Sequence, residues 1–338
     1  MKQPPAKKWH QHKLWNWIIK VLIVTLLTWT IYKQVFDKEN ISQIWLVLVA
    51  RFTQEHLHWL ILTTLLIPVN WGLEALKWQQ LIKTFSNYTF WHIYKAILAG
   101  IAIGLFTPNR IGEYGGRILL VAPEHNWKAV IATAVGGFSQ LLVLLAFGLL
   151  GTIYFASLYL MLDTYLLYLL LFIGVGLITL MTFCFFNIDL LIPVAKRLPY
   201  IHLLKKYFKH LVVLTSYSSK ELWKALTYST LRFFTYAVQY YFMLQFFGIE
   251  VPSIWIGFAG VFTHYFLQTA IPLPPVMDVF ARGPMALFVW SRFSEDQIGI
   301  LGSTYTLYLI NLIFPAILGS IFVLKVNIIK SLGYDSVN

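Results

Sequence analysis

Two stretches place Pro, an acid and Arg in the same order inside otherwise apolar sequence. In the first, Thr107-Pro108-Asn109-Arg110-Ile111-Gly112-Glu113 follows an apolar run, and Arg117 comes four residues later. In the second, Pro272, Pro274 and Pro275 precede Asp278 and Arg282. Acid and Arg four apart share one face of a helix. Guanidinium groups hold phosphate oxygens through paired N–H donors and stay charged. A helix start adds free N–H groups and the positive end of its dipole. Thr107 is the expected N-cap and Pro108 the expected first helical residue. Gly112, Gly115 and Gly116 let a ligand or another backbone come close. The expected chemistry is anion binding, with Thr107, Asn109, Arg110, Glu113 and Arg117 on one side and Asp278 and Arg282 on the other. Glu113 would order the Arg pair or take a cationic group. The same acids and Arg also suit internal ion pairs that fix each break, since charges buried in a membrane pair whatever the function.

The sequence around these breaks is that of an all-α polytopic membrane protein. Of its 338 residues, 58% are hydrophobic, 17% aromatic and only 12% charged; mean hydropathy is +0.68. Apolar runs near the ~20 residues needed to span a bilayer are expected to cross at about 14–32, 57–78, 129–155, 165–186, 225–247 and 298–323. Residues 41–50 are too short to cross and read as an interfacial helix. The formal charge of +12 does not imply nucleic acid, because Lys and Arg flank apolar spans. The basic segment 196–224 has apolar residues at helical spacing, as an amphipathic helix on an anionic surface would. Cys184 alone excludes an internal disulfide and a Cys-based zinc site, and no metal or cofactor motif is present. The lysines before the first apolar run, with no small-residue cleavage site after it, read as an uncleaved first span.

The Lys/Arg bias puts both termini, 77–95 and 187–224 in the cytoplasm, and 33–56 and 156–164 outside. Residues 96–118 then leave and return on the inside, and 253–290 on the outside, as two re-entrant helical hairpins. The expected architecture is one integral membrane domain, 1–338. Its halves, 1–160 and 163–338, repeat span, span, broken pair, span in opposite orientation, which is a transporter design.

Three further positions belong to the expected substrate path. Arg232 lies a couple of turns into its span, so it either snorkels or faces a cavity. His264 and Gln268 are four apart on the arm before the second break. Asn70 and Glu74 share that spacing, with Glu74 expected near the inner interface.

The segment Thr107-Pro108-Asn109-Arg110-Ile111-Gly112-Glu113 with Arg117 resembles the lysylphosphatidylglycerol synthase transmembrane-region family, whose hallmark is Pro-x-Arg-x-Gly-Glu after an apolar run. Leu76-Lys77-Trp78 is similar to that family's basic-aromatic ending of the second span. Pro272-Leu273-Pro274-Pro275-Val276-Met277-Asp278 holds the place of its second, Gly-rich break, without the glycines. The resemblance covers most of the chain. It implies a bacterial plasma-membrane flippase that moves an anionic or aminoacylated phospholipid, or another lipid phosphate, between leaflets. A separate lipid synthase would be its partner, since multidomain relatives carry one as a soluble domain. The alternative is a membrane transferase acting on polyprenol-linked or phospholipid substrates. No Asp-x-Asp, acyltransferase or nucleotide-binding motif supports it. An Arg beside each carboxylate favours its ionised form, which suits binding over acid catalysis.

Overall fold

The computed structural model describes residues 15–22, 25–26, 29, 46, 49–50, 52, 54–107, 110–190, 192, 211–270 and 275–333; the side chains at 54–55, 270 and 275–280 are outside the description. All regular structure among them is helical. Residues 15–22, in the first expected span, form helix. Most of that span, most of the expected interfacial helix at 41–50 and much of the basic segment at 196–224 lie outside the described residues.

The main helices are α1 (Gln54–Ile82), α2 (Phe90–Gly104), α3 (Gly112–Ile118), α4 (Asn126–Tyr159) and α5 (Thr164–Phe186), then α6 (Ser219–Phe246), α7 (Ile254–Ala270), α8 (Pro275–Trp290), α9 (Gln297–Tyr308) and α10 (Phe314–Lys325). Among the described residues four segments are long and apolar enough to cross a membrane: His56–Ile82, Pro123–Tyr159, Thr164–Phe186 and Gln297–Lys325. Each overruns its expected limits by several residues or fewer at either end. The 34 residues of α4 measure about 51 Å at 1.5 Å per residue, well beyond a hydrocarbon core of about 30 Å. With 28 residues, α6 is long enough, but it carries Lys220, Lys224, Arg232, Gln239 and Gln245. A capping box between Ser218 and Glu221 starts it.

Between α9 and α10 the helix widens into a π turn, Leu309–Ile313. Pro315 follows, and it has no N–H to give the Asn311 carbonyl one turn back. The Trp71 indole donates to that carbonyl instead, at 3.1 Å. Asn311 is thereby fixed in the interior, 2% exposed. π turns of this kind concentrate at functional sites.

Packing is reciprocal between the two parts of the chain. The most extensive contact joins α1 to α6; α2 packs on α10, and α7 packs on α4. The N-terminal helix meets the far end of α10, where Lys20 donates to the Leu324 carbonyl at 2.6 Å, while α5 leans on α4. Among the described residues two large apolar cores result, with a smaller one of Ala99, Leu119, Val323 and Ile328 beside them. One gathers Trp71, Trp78, Ile97, Ile101 and Ile313 around α1 and α2. The other gathers Tyr240, Phe247, Val261, Trp290 and Ile300 around α6, α7 and α8. Lipid tails are as apolar as these side chains, so helix association in a bilayer depends on close packing and polar links more than on burial. Polar links run through both cores.

Candidate functional site

The site begins at the break between α2 and α3. Glycine brings these arms together: a Cβ on Gly116 would lie 2.5 Å from the Ala99 carbonyl and 2.6 Å from the Gly100 Cα. That contact tucks Arg117 inside, 3% exposed. The new helix starts at Gly112, four residues later than the Thr107-Pro108 signal predicts. Thr107 nevertheless serves it from a distance, since its Oγ1 accepts the Gly112 N–H at 2.8 Å. The same hydroxyl donates back to the Gly104 carbonyl at 3.2 Å, closing the turn. Arg110 is therefore not on the helix with Glu113; it sits in the left-handed region, at φ 56°. Such a conformation in a non-glycine residue costs on the order of 1 kcal/mol and persists only where its surroundings require it. Asn109 lies outside the described residues.

Arg117 leads into a buried ion cluster. Its Nη2 donates to Glu113 Oε1, four residues earlier, and to Glu74 Oε1 on α1 at 2.9 Å. Glu74 Oε2 also meets Lys77 Nζ at 2.7 Å and Arg232 Nη1 at 3.0 Å. Arg232 Nε donates to Asn70 Oδ1 at 3.1 Å, and Asn70 Nδ2 reaches Asn311 Oδ1 at 3.4 Å. The guanidinium of Arg232 lies 4.7 Å from the Trp71 ring centroid, and that of Arg117 lies 5.5 Å from Trp78. Removing water makes such charges costly unless partners surround them. Here two carboxylates face three cations, so the cluster retains one positive charge.

Glu74 is the hub and is 4% exposed. Lys77, which read as a topology signal, is 1% exposed and belongs to the same cluster. Arg232 does not snorkel; it turns inward. Asn70, Glu74 and Lys77 lie at i, i+4 and i+7, the spacing of one helix face. The step from Asn70 and Glu74 to Lys77 is the sequence signal that this lysine shares their face.

The cluster borders a cavity of about 370 Å³. Arg110 from the first break, Arg232 from α6 and Arg282 from α8 all line it, together with His264 and Gln268 from α7 and Asn311 from the π turn. Arg282 lies 4.7 Å from the Tyr308 ring centroid. Much of the remaining lining is aromatic or hydroxyl-bearing. Trp290 Nε1 donates to the Tyr240 hydroxyl at 3.1 Å, which shares a 2.7 Å hydrogen bond with Thr304. His264, 1% exposed, stands edge-on to Tyr240, ring centroids 5.0 Å apart. Five expected site residues therefore meet at one cavity. Glu113 and Arg117 are instead absorbed in the adjoining cluster, and the Asp278 side chain lies outside the description. Among the described residues no group of His, Cys, Asp and Glu could hold a metal ion.

This arrangement can take an anion in a chamber with a partly apolar wall, inside an all-helical membrane protein. A search of curated proteins finds no match to the chain. A family model of the lysylphosphatidylglycerol synthase TM region matches residues 17–283, a stretch that holds both breaks and every Arg of the cavity. The chain belongs to the lysylphosphatidylglycerol synthase transmembrane-region family.

Proposed function

We propose that this membrane protein carries an anionic lipid between the leaflets of a bacterial plasma membrane, as a flippase. The observation that carries the reading is the convergence of Arg110, Arg232 and Arg282, from three separate elements, on one cavity of the helical body. Arg in membrane-spanning sequence is costly, and it persists where it serves a ligand path or a partner. Arg110 and Arg282 would hold the phosphate, and Arg232 would share itself between ligand and Glu74. Gln268 and Asn311 would orient the rest of the head.

We further propose that the helix pairs at the two breaks dip into the membrane without crossing it, one from each face, as parts of inverted halves 1–160 and 163–338. Supporting this, α2, α7 and α8 have 15, 17 and 16 residues, about 22–26 Å each. The reciprocal packing of α2 on α10 and α7 on α4 is what exchange of the halves would produce. The Lys/Arg bias supports cytoplasmic termini. A soluble synthase supplying the lipid would be the partner.

The test is a liposome assay with purified protein and fluorescent phospholipids. Arg110→Ala and Arg282→Ala should each slow movement at least ~10-fold, the usual scale for losing a charged contact to a ligand. Wild-type rates in both variants would reject the site. Chemical change of the lipid, in place of movement, would favour the transferase alternative.

A further inference from the structure

The cavity's own charge says which head it suits. Three guanidiniums line it and no described lining residue is acidic. The stretches joining the cavity's elements whose side chains are not described, 108–109 and 271–280, contain one acid, Asp278. Because Arg232 also pairs with Glu74, cavity and ion cluster share one balance: Lys77, Arg110, Arg117, Arg232 and Arg282 face Glu74, Glu113 and, even with its carboxylate turned inward, Asp278, which leaves two net positive charges. Neither carboxylate of the cluster is free, because Glu74 binds Lys77, Arg117 and Arg232, and Glu113 binds Arg117. A lysyl or other aminoacyl head would bring an ammonium into this field without a described acid to receive it. A phosphodiester such as phosphatidylglycerol neutralises one charge only. A phosphomonoester carries about −1.5 to −2 near neutral pH, and a diphosphate at least as much. Coulombic attraction scales with ligand charge and is amplified away from water.

We infer that the cavity selects a doubly charged phosphate head, a lipid phosphomonoester or diphosphate, over phosphodiesters and over aminoacylated lipids. The inference rests on the lipid-transport reading for its source of phosphate, but the chemistry it names is separable from transport. The purified protein in neutral detergent is offered phosphatidic acid, phosphatidylglycerol, lysyl-phosphatidylglycerol, inorganic phosphate and pyrophosphate, with binding read by native mass spectrometry and thermal shift. Phosphatidic acid should bind about tenfold tighter than phosphatidylglycerol, and the lysyl lipid weakest of the three. Arg110→Gln and Arg282→Gln should each shrink that tenfold preference to about threefold while the lipid-free melting temperature reports that each variant is folded. Equal binding of the three lipids, or preference for the lysyl lipid, would overturn the inference and leave the transport reading intact. Selective binding of phosphatidic acid by a protein that moves no lipid would uphold the inference and remove the transport reading. Pyrophosphate binding as tightly as the lipid would uphold the charge selectivity and assign it to a soluble phosphate.

Discussion

The two breaks carry the same short pattern, an acid four residues before an Arg, and set the Arg in different surroundings. At the first, Arg117 is sealed between α1, α2 and α3 and bound to Glu113 and Glu74. At the second, Arg282 is half-buried, lines the cavity and lies against the Tyr308 ring. The first break still reaches the cavity, but through Arg110 on the strained turn. Spacing alone therefore does not distinguish a post from a working contact. The neighbours decide: small residues under α3 draw Arg117 in, while the arm before Arg282 lines the cavity with His264, Tyr265 and Gln268.

The largest test of that contrast is Glu74→Ala. It would leave three buried cations with one carboxylate, and breaking a buried ion network typically costs about 3–5 kcal/mol. Thermal unfolding in detergent should show the loss, and a stable variant would mean that the cluster is wetter than its burial implies. Next come Arg117→Gln and Arg282→Gln side by side. The first should destabilise by about 2–4 kcal/mol. The second should lose less than about 1.5 kcal/mol yet slow lipid movement at least ~10-fold. Equal stability losses would erase the distinction between the breaks. Gly116→Val should cost about 1–3 kcal/mol by forcing α2 and α3 apart, and it should lower transport only as far as Arg110 is displaced. Smallest, Trp71→Phe removes one donor to the Asn311 carbonyl, about 1 kcal/mol, measurable as a modest fall in melting temperature.

Much of the helical framework could be read from the chain because bilayer thickness imposes it. Apolar length places α1, α4 and α5 within a few residues, and Thr107-Pro108 marks a true break. What local pattern could not reveal is direction. Lys77 looks like any positive charge at the end of a span, and only its packing beside Glu74, Arg117 and Arg232 shows that it is interior. Arg232 is 158 positions from Glu74 in the chain, so no periodicity ties them. The delayed start of α3 depends on a side chain reaching five residues forward, which helix-start signals do not encode. The π turn was hidden too: Pro315 hints at a disturbance, but the indole that answers the orphaned carbonyl comes from another helix.

The left-handed turn at residue 110 allows shape and charge to be pulled apart. Glycine adopts that backbone angle without penalty, so Arg110→Gly would keep the loop's path, and relax it, while deleting its cation. Alanine would delete the cation and keep the strain. A pair of variants that are equally inactive would show that the guanidinium matters; an active glycine variant would show that this position is there to bend the chain.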